Sequence, residues 1–149
     1  MIAKGGVTAT SFDEPTEVTD PMEAAIHGPA RITVTKAGTL LVTYTQMVGE
    51  FASLAIATSK DGKEWTRTVL PANGHVTSPY PCAETPGGAV GRTYITGVYD
   101  GRAFVQWSDD DGATWPNGAG REVSGGEGQV AQRPSCIVDG NELWVAYGL

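Results

Sequence analysis

Ser108-Asp109-Asp110-Asp111-Gly112-Ala113-Thr114-Trp115 carries the most specific local pattern in the chain. Its fixed positions, S-x-D-x-G-x-T-W, describe a tight reversal closed by its own side chains. The Asp110 carboxylate can accept backbone N–H bonds across the turn, Gly112 supplies a conformation closed to residues with a Cβ, and Trp115 covers the hairpin with its ring. A related stretch lies upstream: LAIATSKDGKEW at 54–65 overlays FVQWSDDDGATW at 104–115 at an offset of 50 residues, with Gly62 and Trp65 under Gly112 and Trp115. On that overlay the upstream copy is degenerate, because Thr58 stands for Ser108, Lys60 for Asp110 and Glu64 for Thr114.

Two further landmarks share the period. TLLVTY at 39–44, RTYITGVY at 92–99 and ELWVAY at 142–147 start 53 and 50 residues apart, and a proline precedes the first strand of each unit at Pro29, Pro81 and Pro134. A repeat of this length decides the architecture before any single element is named. Within it, short β-branched or alternating runs are broken by Gly or Asp-Gly, which predicts antiparallel strands joined by tight turns. The first unit predicts strands near 30–36, 39–46, 52–59 and 64–70. The second predicts them near 82–86, 92–99, 102–108 and from 114, and the third near 134–139 and 142–149. Three units of 30–70, 82–118 and 133–149 follow an acidic opening over 1–29, where Val7–Phe12 is the candidate for a first strand.

Composition agrees with a turn-rich β protein. The 20 glycines and 9 prolines make about a fifth of the 149 residues, and Thr occurs 17 times against 4 for Lys. Charged residues are 18% and the net charge is −7, which argues against a phosphate-binding surface and so against nucleic acid. No apolar run reaches the ~18 residues of a membrane span and the start lacks a signal-peptide core, which leaves the setting open: the cytoplasm, or a virion or other assembly, unless the chain is a fragment of a longer one. Cys82 and Cys136 form no CxxC pair, and His27 and His75 belong to no metal motif; two reduced, buried thiols and no metal or other cofactor are expected.

The 108–115 motif, placed between strands and repeated, resembles the Asp-box (BNR-repeat) β-propellers of the sialidase superfamily. The resemblance implies an all-β fold of four-stranded antiparallel blades, of which this chain holds about two and a half to three. It also implies a structural role for Ser108, Asp110, Gly112, Thr114, Trp115, Gly62 and Trp65, on outer hairpins far from any ligand. Enzymes of that superfamily bind the substrate carboxylate through three arginines and use an Asp acid/base with a Tyr–Glu nucleophile pair. Their first arginine lies in an R-I-P triplet; here the stretch is Ile26-His27-Gly28-Pro29-Ala30-Arg31, with Arg31 after the proline. Arg133 precedes Pro134 and is the better candidate to hold an anion. The segment that follows Tyr44, Thr45-Gln46-Met47-Val48-Gly49-Glu50, contains no Asp; Glu50 is the carboxylate there, and Tyr80 and Glu84 lack the nucleophile spacing. A complete catalytic set is missing.

The remaining candidates for ligand binding lie in the connector 71–86, where His75, Tyr80 and Glu84 combine an aromatic face with polar groups, as a sugar site requires. Trp107, Trp144, Tyr94 and Tyr99 are expected to pack one blade on the next. Three functional classes follow: a noncatalytic sialidase-like module that recognises carbohydrate, a structural or interaction propeller of a larger assembly such as a viral tail, and an exo-sialidase or related glycoside hydrolase with catalytic residues partly outside this chain. Two and a half blades close no ring, so the expected partners are further copies of the chain or the remaining blades.

Overall fold

In the computed structural model, residues 14, 18, 26–70, 74–87, 91–115, 120–124 and 128–149 are described, with backbone alone at 26–28. Among them every regular element is a strand. The order is β1 (Ile26–Val34), β2 (Leu40–Val48), β3 (Phe51–Ser59), β4 (Thr66–Leu70), β5 (Val76–Ala83), β6 (Thr93–Tyr99), β7 (Arg102–Ser108), β8 (Arg121–Glu122), β9 (Gln132–Asp139) and β10 (Glu142–Gly148). They form two four-stranded antiparallel meanders, β1-β2-β3-β4 and β5-β6-β7-β8, and a two-stranded sheet of β9 and β10. The all-β, multi-sheet reading therefore stands. The expected first strand over Val7–Phe12 lies outside the described residues.

Alternation along the strands sends each sheet's two sets of side chains into different layers. Between the first and second sheets Leu41, Leu54 and Ile56 meet Val76, Ile95, Phe104 and Trp115. Between the second and third, Val98 and Ala103 meet Ala131 and Tyr147. The remaining face of the first sheet carries Val42, Tyr44, Ala55 and Ala57, against which Val18 packs. The first strands of successive sheets are neighbours, β1 beside β5 and β5 beside β9, where Cys82 is joined to Cys136; the Thr43 hydroxyl of β2 also donates to the Pro79 carbonyl at 3.4 Å.

Four expectations are corrected. The cysteines are a disulfide with Cα atoms 5.9 Å apart, not two thiols; 54 residues separate them in sequence, but the stacking of sheets brings β5 beside β9. The first strand of the second unit is Val76–Ala83 and not 82–86, because the prolines at 79 and 81 are accommodated within a strand. The fourth strand of that unit is the short Arg121–Glu122 pair rather than residues from 114. Trp144, expected to pack between sheets, is exposed.

The hairpin turns correct a register as well. At the downstream turn the Ser108 hydroxyl donates to Asp110 at 2.6 Å, Asp110 accepts from the Thr114 N–H at 2.8 Å, and the Gly112 N–H reaches Ser108 at 2.9 Å. At the upstream turn these roles fall to Ser59 and Asp61: Ser59 donates to Asp61 at 3.1 Å, the Gly62 N–H reaches Ser59 at 2.8 Å, and the N–H groups of Lys63 and Glu64 reach Asp61 at 2.8 and 3.1 Å. Pairing agrees, since Ser59 lies opposite Leu40 and Ser108 opposite Thr93. The upstream turn is thus intact and one residue shorter, and Asp111 is the extra residue of the downstream one.

Candidate functional site

A defect in the sheets recurs at one register. In the first sheet Arg31 pairs with Thr43 and His27 with Thr45; in the second Tyr80 pairs with Thr96 and Thr77 with Val98; in the third Ser135 pairs with Ala146 and Gln132 with Gly148. Each time the first strand carries two or three residues opposite a single one on the second strand, which is a β-bulge. A proline lies in each bulge: Pro29, Pro79 and Pro134. Proline has no N–H to give to the ladder, so a bulge is where a strand tolerates it. The repeating proline of the second unit is accordingly Pro79, and Pro81 sits one pair beyond the bulge.

The bulges put unusual backbone at this level. Ser78 has φ +52° and Arg133 φ +45°, a left-handed conformation that disfavours residues with a Cβ. On the strand opposite, Gly97 faces the second bulge; a Cβ there would meet the Phe104 ring at 2.6 Å. Three of the sequence-derived candidates fall in this band on neighbouring first strands. Arg31 and Tyr80 occupy the same register position, the pair next to the bulge, while Arg133 is inside the third bulge. Both arginines are exposed and Tyr80 is half-buried. Two guanidinium groups and a phenol along one band can take an anion and stack a ring.

His75 and Glu84 stand apart from it. They flank β5 at opposite ends, about 25–30 Å from one another at the rise of an extended chain. The His75 ring accepts from the Ala52 N–H at 3.3 Å and meets Phe51 edge-on, with centroids 5.7 Å apart, so it fastens β5 to the β2–β3 hairpin. Glu84 is paired with Lys36 at 2.5 Å, and that hydrogen bond, against the cost of its burial, holds its carboxyl below the usual carboxylate range.

A second concave feature, an open cleft of about 530 Å³, lies between the two serine–aspartate turns. Its three aspartate carboxylates are already engaged. Backbone N–H bonds from Lys63 and Glu64 lower the Asp61 carboxyl, and the Ser108 and Thr114 hydroxyls lower that of Asp110. Asp111 is buried, and burial opposes its charge. Yet hydroxyls of Thr35 and Thr39, the Ala37 N–H at 3.2 Å and the Lys60 ammonium at 3.5 Å outweigh this and hold it below its ordinary value. Lys60 also donates to the Thr39 hydroxyl at 2.5 Å, and Thr39 in turn donates to Asp111. This clasp ties the second sheet's turn to the β1–β2 turn of the first. Sequence reading missed it because the register error hid Asp111 as the inserted residue.

Trp115 is buried and its indole N–H donates to the Gly112 carbonyl at 3.0 Å, as a ring closing a hairpin should. Arg92 lies 5.8 Å from the centroid of the Trp107 ring and pairs with Asp109 at 2.5 Å. Among the described residues no three His, Cys, Asp or Glu side chains gather as a metal site, and no helix is long and apolar enough to cross a membrane. Comparison with protein-family models, with curated proteins and with solved structures finds no match.

Proposed function

We propose that the chain is a noncatalytic, sialidase-like β-propeller module that recognises carbohydrate, with acidic sugars as the ligand class. The observation that carries this reading is the bulge repeated at one register of three neighbouring first strands, which presents Arg31, Tyr80 and Arg133 in one band. The sheets are then blades, their first strands line the channel, and the serine–aspartate turns are Asp boxes on the outer rim. Arg31 and Arg133 take the sugar carboxylate and Tyr80 stacks on the ring face. Glu84, past the end of β5, is held by Lys36 and supplies no acid/base beside this band, which favours recognition over hydrolysis. Titration with sialylated and matched neutral oligosaccharides tests the reading. Retention of the sialylated set alone, lost in Arg133→Ala and Tyr80→Ala, supports it, and equal indifference to both sets contradicts it. Turnover of a fluorogenic sialoside would instead favour the glycoside-hydrolase alternative.

A second reading, a structural propeller of a larger assembly such as a viral tail, is favoured by the exposed Ile137 and Trp144 on the third sheet.

A further inference from the structure

With the bulges as origin, each position on one sheet has a counterpart on the next. Ile32, Pro81 and Cys136 correspond, being one pair from the bulge-flanking pair, and so do Thr33, Cys82 and Ile137; on the second strands Leu41, Tyr94 and Trp144 correspond. Counterparts share a facing. Pro81 and Cys136 turn toward the preceding sheet and are buried there; Leu41 turns toward the following sheet and is 0% exposed. The residues that break this rule are those with no neighbour. Ile32, on the preceding side of the first sheet, is 52% exposed with Val34 at 39%; Ile137 and Trp144, cross-strand partners on the following side of the third sheet, are 64% and 58% exposed.

One chain thus carries both halves of the contact it makes internally twice, each half bare. We infer that the third sheet of one copy stacks on the first sheet of a second copy, with Ile137 and Trp144 laid over Ile32 and Val34. Partial cover on the first sheet fits this: among the described residues Val18 packs over β2 and β3, the Arg67 side chain donates to the Val18 carbonyl at 2.6 Å, and Ile32 and Val34 of β1 are exposed. The contact is heterologous, so repetition either closes a ring or grows a filament.

Light scattering with two single-face variants tests the inference. Both residues are more than half exposed, so Trp144→Arg and Ile32→Arg are expected to leave the circular dichroism spectrum unchanged. The wild-type chain assembles beyond its 15.6 kDa monomer mass. Each variant alone stays monomeric, and an equimolar mixture forms a dimer through the one undamaged junction. Any of three results overturns the inference: a wild-type monomer at all concentrations, variants that assemble like wild type, or a mixture that stays monomeric.

Discussion

Asp111 shows how one residue joins two repeats. Inserted after Asp110, in a left-handed conformation at φ +63°, it sends its carboxylate out of its own turn to the N–H and hydroxyls of the β1–β2 turn. Asp111→Ala leaves those donors without their acceptor and is expected to cost about 2–3 kcal/mol, read from the denaturant midpoint; a change under about 0.5 kcal/mol contradicts the clasp. Its charged form is favoured by folding, so this stability is present above the ordinary value of 3.8 and is lost as pH falls below it toward the depressed folded value. Asp111→Asn should therefore flatten the acid limb of the stability–pH curve. The shorter upstream turn gives a second expectation: Ser59→Ala costs about 1–2 kcal/mol because it leaves the Gly62 N–H unpaired, and Thr58→Ala costs less. The reverse order would restore the 50-residue overlay. That overlay misled because Gly and Trp dominate the alignment, whereas backbone pairing fixes which hydroxyl enters the turn.

Strands were the most legible elements. The predicted runs at 39–46, 52–59, 92–99 and 102–108 coincide closely with β2, β3, β6 and β7, where alternation, β-branched residues and Gly turns agree. β5 is hidden because Pro79 and Pro81 signal a loop to any local reading; the bulge accommodates Pro79, and the edge position of β5 accommodates Pro81. The same hidden bulge kept the band of Arg31, Tyr80 and Arg133 from view, although each residue was singled out, and it spread His75 and Glu84 to the two ends of a strand. The left-handed backbone at Arg133 yields an element-scale prediction. Arg133→Gly relieves about 1 kcal/mol of backbone strain while removing the guanidinium, so its melting temperature should not fall although sialylated ligand is lost. A parallel loss of folding and binding would make Arg133 a structural residue. At Gly97, alanine would press on Phe104 and cost roughly 1–3 kcal/mol by overpacking.

For the whole molecule, the layers are unequal. The first two sheets enclose a seven-residue apolar cluster, whereas the apolar cluster described between the second and third is Val98, Ala103 and Ala131 with Tyr147. The Cys82–Cys136 bond crosses that thinner layer. Replacing both cysteines by serine is expected to raise amide hydrogen exchange across 132–148 while 40–59 stays protected; a uniform rise would mean that the sheets open as one unit. No sequence pattern disclosed the bond, since two cysteines 54 residues apart become neighbours only once first strand lies beside first strand.

The two cysteines report on that adjacency of first strands. The direct measurement is a peptide map without reduction, on chain refolded in a glutathione redox buffer and isolated as single, uncrosslinked molecules. Stacked repeats with neighbouring first strands predict one linked pair containing Cys82 and Cys136 of the same chain. Two free, reactive thiols in the folded protein, or a bond formed only between chains, would rule out β5 lying beside β9.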